Sequence, residues 1–383
     1  MSPRKALFQL HWIVGITVGV ILGIVGATGA LLSFEQEIVA SLARDGRQVE
    51  ANGRTPLAPA ELLARIAASG PQKHIAGLSV VRAPTETVRV TFAPREQRYV
   101  DPYTGALLPP TSSGAETFFR NVRQLHRWLM LGELGDRDIG RQIVGASTML
   151  LIFMALTGLY LRWPRGPAAR RWKTWLIPDF RLKGRAFLWN LHSIMGTWVL
   201  PIYLVIALTG LQWSYEWYRD GLYAIAGAQR PAEREGPREG SREARAAADI
   251  PALARAWATF ARETPGFKSV NINLAGRPGK PIEFRYLDRQ ASHERAFDTL
   301  AVDSEGRVVS LERYDDKKFG AQVVSSIFPL HSGSYFGLAG VIVFLLASLA
   351  MPVFSVTGWI MYLQRRAPRA RHTSLATASE EAS

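Results

Sequence analysis

Four histidines of this chain each follow a leucine and each stand just ahead of a long apolar stretch: Leu10-His11, Leu125-His126, Leu191-His192 and Leu330-His331. Imidazole is a common axial ligand of haem iron, and two imidazoles fill both axial positions, leaving no open site for oxygen or substrate. Haem held in that way passes electrons. A lone histidine at a membrane boundary is more often a polar interfacial residue or a helix-packing partner. The argument for ligands is that the same dipeptide recurs four times, at equivalent places.

Composition narrows the chemistry. The chain has 383 residues, 48% hydrophobic with 11 Trp, and apolar runs longer than a soluble core helix needs, which is the composition of a membrane protein. With 0 Cys, disulfides, thiolate-held iron–sulfur clusters, Cys-based zinc sites and covalent c-type haem attachment are excluded, so any haem is b-type. The formal charge of +14 does not point to nucleic acid, because the basic residues sit beside the apolar segments, where the positive-inside rule places them.

The elements that must position the histidines are four expected transmembrane helices, in the apolar stretches Trp12 to Leu32, Ile143 to Leu161, Ile194 to Trp213 and Gly337 to Leu363. About 20 residues at 1.5 Å rise cover the roughly 30 Å hydrocarbon layer. The first stretch follows Arg4 and Lys5, as a signal peptide would, but its apolar run is too long and Gly29-Ala30-Leu31-Leu32 offers no clear cleavage site, so it reads as an anchor. Arg162, Arg165, Arg170, Arg171, Lys173, Arg181, Lys183 and Arg185 crowd the link between the second and third spans, against a lone Asp179. That link and both termini are therefore expected in the cytoplasm, and the two long loops outside, in the periplasm of a Gram-negative cell.

An internal repeat ties the pieces together. At one offset of 181, His11 falls on His192, Leu10 on Leu191, Gly15 on Gly196, Thr28-Gly29 on Thr209-Gly210, Ser33 on Ser214 and Glu35 on Glu216, without a gap. The second halves match more loosely: Leu125-His126 with Leu330-His331, and Thr157-Gly158 with Thr357-Gly358, the first pair of motifs being 32 residues apart and the second 27. The expected fold is an all-α membrane four-helix bundle of two parallel repeats, each helix, outer domain, helix, related by a pseudo-two-fold axis along the membrane normal. His11 and His192 then open their spans on the cytoplasmic side and His126 and His331 precede theirs on the outer side. Two haems would stack across the bilayer, one on each pair.

Other features carry two readings. Gly15, Gly19, Gly23 and Gly26 recur every three or four residues, which points to close helix packing, although a face without side chains also suits a porphyrin. Arg123 and Arg127 flank His126, and an arginine fork suits a haem propionate, but interfacial charge is the commoner cause. The four Thr-Gly pairs read as aids to tight packing, and Trp12, Trp163, Trp213 and Trp359 as an aromatic belt. His126 lies in an amphipathic segment, Thr117 to Leu131, ahead of its span. His74, His293 and His372 lie in polar segments and carry no assignment.

The outer segments read as two small α+β modules. In the first, a helix at Pro59 to Ala68 precedes strands at Gly77 to Val81, Thr87 to Phe92 and Gln97 to Val100, ending in the turn Asp101-Pro102-Tyr103-Thr104-Gly105. The second repeats the order: helix Ile250 to Arg262, strands near Ser269 to Asn273, Ile282 to Leu287 and Ala296 to Val302, then Asp303-Ser304-Glu305-Gly306. Ala228 to Ala248, charged and poor in bulky apolar residues, reads as a disordered linker. The resulting division is 1–33 first span, 34–138 first outer domain with the His126 segment, 139–163 second span, 164–190 basic loop, 191–214 third span, 215–330 linker and second outer domain, 331–364 fourth span and 365–383 tail.

The Leu-His-led spans, the Thr-Gly pairs and the segment Tyr99-Val100-Asp101-Pro102-Tyr103-Thr104-Gly105 together resemble the PepSY-associated transmembrane helix family, over nearly the whole chain. Within it the chain is similar to the inner-membrane ferrisiderophore reductases. That resemblance implies four helices, two outer PepSY-like domains, and b-type haem carrying electrons outward to a ferric siderophore, which makes the protein an oxidoreductase. The second turn lacks the Pro-Tyr-Thr core of the first, which sets the two outer modules apart. Hard oxygen ligands of a siderophore favour ferric over ferrous iron, so one electron loosens their grip. No Gly-rich nucleotide-binding unit follows a strand, so the electrons are expected from a separate donor: reduced flavin, a flavoprotein or a membrane quinol. Two rivals stand beside this reading: a dihaem relay to copper, a quinone or a periplasmic protein, and a non-redox regulator whose outer modules bind a peptide or protease. A parallel-repeat transporter is disfavoured by the absence of broken half-helices.

Overall fold

The computed structural model describes residues 1–42, 48–69, 75–93, 96–109, 114–164, 166–230, 249–274 and 279–366. His74, His372, the basic tail and all but the first residues of the expected 228–248 linker lie outside them.

Three apolar segments are helical and long enough to cross a membrane: α6 (Arg137–Arg162), α7 (Gly184–Ser214) and Ser334–Arg366, which contains α11 (Gly337–Arg366). At 1.5 Å per residue, the 26 residues of α6 reach about 39 Å. Leu338, Ile342, Leu346, Leu349 and Val356 stand exposed along α11, an arrangement that costs little only against lipid. The first apolar segment differs from the expected single span. It is a pair, α1 (Pro3–Thr17) and α2 (Gly19–Leu32), bent by 58° at Val18, so three helices among the described residues are long and apolar enough to cross a membrane, or four if the pair is one span. The break falls in a glycine-rich stretch, where the backbone resists bending least.

Between the spans lie α3 (Glu35–Leu42), α4 (Pro59–Ser69), β1 (Ile75–Val81), β2 (Val88–Phe92), β3 (Glu96–Val100) and α5 (Gly114–Trp128). After α7 come α8 (Glu216–Ala226), α9 (Ile250–Glu263), β4 (Phe267–Asn273), β5 (Ile282–Asp288), β6 (Phe297–Val302), β7 (Val308–Glu312) and α10 (Phe319–Ser332). The strands expected from alternation are present. What the sequence reads as two modules is, however, one antiparallel sheet in the order β3-β2-β1-β4-β5-β6-β7, closed at its centre by β1 on β4, with Gly77 opposite Asn273 and Val81 opposite Ser269. Leu78, Val90, Val100, Val270, Ile272, Phe284, Leu300 and Val302 point to one face. There they pack with Leu62, Leu63 and Ile66 of α4 and Leu253, Ala256 and Phe260 of α9 into a single core. Burying both helices on one sheet hides more apolar area than a three-stranded and a four-stranded half could alone. An aspartate closes each half. Asp101 accepts from the Tyr103 N–H and Thr104 hydroxyl, and Asp303 from the Glu305 and Arg307 N–H groups and the Arg307 guanidinium; Gly105 and Gly306 take the positive φ of these turns.

The contacts divide the chain into two compact units. The first comprises Met1–Ala27, Ala146–Leu204 and Ala347–Ser383, the second Thr28–Gly145 and Val205–Leu346.

Candidate functional site

Each unit holds one pair of the four histidines. In the first, His11 sits on α1 and His192 in the third turn of α7. Both line a single cavity of about 240 Å³ with mainly apolar walls. The two rings are within electrostatic reach of one another. Each is held by a threonine from another helix: His11 Nδ1 lies 2.9 Å from the Thr157 hydroxyl on α6, and His192 Nδ1 lies 2.9 Å from the Thr357 hydroxyl on α11. Phe354 stacks edge-on to the His192 ring at 4.9 Å. Gly15, Gly158 and Gly196 leave parts of the cavity wall without side chains, and Arg162, Arg185 and Arg365 bring positive charge to its lining.

The second unit repeats the device. His126 is in the last turn of α5 and His331 in the last turn of α10, both on helices that stop short of the following span. Leu129 and Met130 at positive φ break the chain after α5, and Gly333 and Gly337 break it after α10. His126 Nδ1 lies 3.1 Å from the Thr28 hydroxyl on α2. His331 Nδ1 lies 3.0 Å from the Thr209 hydroxyl on α7 and 3.1 Å from the Ile206 carbonyl oxygen. Here too the paired rings lie within electrostatic reach. His331 is additionally flanked by Trp213, ring centroids 5.1 Å apart.

The structure thus brings His11 together with His192 and His126 together with His331, as the repeat pairs them, and gives the Thr-Gly pairs more than the expected role. They are more than packing aids: all four threonines carry a histidine. Every hold is made within one copy of the sequence repeat, Thr157 and Thr28 serving the first copy and Thr357 and Thr209 the second. The available signal was the recurrence of Thr-Gly at repeat-equivalent positions, but nothing in the spacing says that these hydroxyls face imidazoles. The glycines of the first span divide as follows. A side chain at Gly19, Gly23 or Gly26 would meet α11, whereas one at Gly15 would meet the Met154 side chain, so the stripe serves packing on α2. Arg123 forms an ion pair with Glu35, and the Arg127 guanidinium lies 4.7 Å from the Trp128 ring centroid; interfacial charge accounts for both. His293 is a buried structural residue. Its Nδ1 accepts from the Arg295 N–H and its Nε2 lies 3.0 Å from the Tyr314 hydroxyl and 3.1 Å from that of Ser326 on α10.

Among the described residues no three or more of His, Asp and Glu gather as a bare metal ion would require; the histidines meet in twos. A pair of imidazoles facing one apolar cavity, with a wall thinned by glycines and arginines in its lining, has the donor set and the surroundings that suit a haem with two histidine ligands.

A sequence model of the PepSY-associated TM region matches residues 8–365. No curated protein matches the chain significantly.

Proposed function

The chain belongs to the PepSY-associated TM region family, and we propose that it is a four-span, dihaem b-type electron carrier of the bacterial inner membrane that reduces ferric siderophore iron on the periplasmic side. The observation that carries this reading is the arrangement of the histidines: two pairs, one per unit, every ring held through Nδ1 by a threonine of its own repeat. A packing role for the histidines gives no reason for that four-fold recurrence.

In this reading His11 and His192 hold the group nearer the cytoplasm and His126 and His331 the one nearer the periplasm. Haem b held by these histidines would supply a one-electron carrier. The apolar residues around His11 and His192 keep water out, and Arg162, Arg185 and Arg365 offer positive charge to propionates. The basic link after α6 supports cytoplasmic termini and a periplasmic sheet domain under the positive-inside rule. Electrons arrive from a separate reductant, a reduced flavin, flavoprotein or quinol. One electron passed to a ferric siderophore leaves ferrous iron, which its hard oxygen ligands hold less tightly.

The test is the haem content and the reduced-minus-oxidised optical spectrum of the detergent-purified chain, followed by anaerobic mixing with a ferric siderophore. Near two b-type haems per chain are expected, with His11→Ala and His331→Ala each losing one, and chelate-driven reoxidation in the wild type. Reoxidation by copper or a quinone but not by the chelate would keep the relay and replace the acceptor. A chain without haem would refute the proposal and favour the regulatory reading.

A further inference from the structure

A threonine hydroxyl has one proton, and where that proton goes decides which tautomer its imidazole partner must be. The Thr157 hydroxyl lies 2.8 Å from the Phe153 carbonyl oxygen, that of Thr209 2.6 Å from the Val205 carbonyl and that of Thr357 2.8 Å from the Val353 carbonyl. In each case this is the helix's own carbonyl four residues back, the usual destination of a threonine proton in an apolar helix. With the proton spent there, the oxygen accepts from the ring, so Nδ1 of His11, His331 and His192 carries hydrogen and Nε2 carries the lone pair. At His331 the Ile206 carbonyl, 3.1 Å from Nδ1, has no proton to give and demands the same tautomer independently. The neighbouring glycine completes the seat for two of the rings. A Cβ on Gly158 would stand 3.3 Å from His11 Cε1, and one on Gly210 3.2 Å from His331 Cε1.

We propose that Thr157, Thr357 and Thr209 are positioning residues that lock His11, His192 and His331 into the ligand-competent tautomer and thereby set the reduction potential of iron bound there, with Gly158 and Gly210 as the gaps that admit the rings. This inference rests on the haem reading above. An acceptor on Nδ1–H gives the ring more anionic character, so it donates more strongly through Nε2 and favours the ferric state. Removing the acceptor raises the potential. His331 has two acceptors, Thr209 and Ile206, so losing Thr209 costs it less than losing Thr157 costs His11.

The test uses the full-length chain in detergent with Thr157→Val, Thr157→Ser, Thr209→Val and Thr209→Ser, read by optical redox titration. A neutral hydrogen bond worth about 0.5–1.5 kcal/mol changes an equilibrium by roughly twofold to slightly over tenfold. In Thr157→Val the reduced-to-oxidised ratio of one haem, at fixed ambient potential, should rise within that range. Thr157→Ser should restore the wild-type value and Thr209→Val should shift less. Loss of one haem in Thr157→Val that Thr157→Ser retains would also support the role. A Thr157→Val chain with full haem and an unshifted titration, or a serine variant no better than valine, would overturn it. If the wild type proves to hold no haem, the function proposed above fails. The tautomer claim then stands or falls on ring ¹⁵N signals of the labelled chain: Nδ1–H rings at His11 and His192 are expected, and Nε2–H rings would refute it.

Discussion

Gly26 offers a sharp test of how α2 and α11 are held. A Cβ built there would stand 2.5 Å from Met351 Cβ and 2.8 Å from the Ser348 carbonyl oxygen. Carbon atoms at rest sit about 3.5–4.0 Å apart, so Gly26→Ala demands about 1 Å of separation, and a backbone carbonyl cannot rotate out of the way. Overpacking of this kind costs about 1–3 kcal/mol, or roughly 1–4 °C in melting temperature for a chain of this size. The two glycines before it grade the effect. At Gly23 the nearest atom is the Ser355 hydroxyl oxygen at 3.0 Å, which can turn away. At Gly19 the same atom is at 3.6 Å, an ordinary contact. There alanine gains its helix preference of about 1 kcal/mol over glycine. Thermal unfolding of the three alanine variants in one detergent should therefore run Gly26→Ala below wild type, Gly23→Ala close to it and Gly19→Ala at or above it. Because α11 carries Thr357, Gly26→Ala should also loosen the seat of His192. A Gly26→Ala protein as stable as Gly19→Ala would refute the packing argument.

Two further predictions concern the second unit. Burial holds the His293 imidazole below its usual 6.5, with Glu294 opposing. The folded state therefore prefers the neutral ring, and its advantage is present above pH 6.5 and lost as pH falls through the folded value. Unfolding midpoints of the wild type should drop between pH 7.5 and 5.5 by more than those of His293→Gln, and equal drops would exclude the residue as the cause. In the turn after β3, Asp101→Ala removes the acceptor of the Tyr103 N–H and Thr104 hydroxyl and should destabilise by about 1 kcal/mol, read as a lowered denaturation midpoint. Asp101→Asn, which keeps a side-chain oxygen, should recover part of that loss, and an alanine variant at the wild-type midpoint would show that the turn does not need the carboxylate.

Periodicity exposes the apolar helices and the alternating strands because those patterns are local. Leu78, Val90 and Val100 alternate with polar neighbours, and so do Val270, Ile272 and Phe284, which is enough to read six strands. That β1 and β4 are neighbours is not local: the two edges carry no charge or spacing that names the other, and only the burial of α4 and α9 on one face joins them. β7 escaped the reading for the opposite reason, since all five of its residues are exposed and no buried face imposes alternation. The bend at Val18 escaped because glycines recur through the segment on both sides, so no single residue marks it. At the candidate site the histidines were legible through repetition, whereas the threonines were read one link short. Their recurrence was visible, but a hydrogen bond between helices 98 to 165 residues apart is decided by how the helices face each other.

That crossed pattern of holds explains why the sequence is doubled. In the first copy, His11 precedes the first span and is held by Thr157 from the second, while His126 precedes the second span and is held by Thr28 from the first. Each copy thus seats each of its rings on a threonine from a different apolar segment. Yet a copy alone supplies one imidazole to each pair, and a haem bound as proposed above would need a second ring opposite. His192 and His331, seated by Thr357 and Thr209 in the same crossed manner, would provide it. A substitution that unseats one ring should therefore disable one pair and spare the other, which makes the two sites separable by mutation although α7 carries His192 of one and Thr209 of the other.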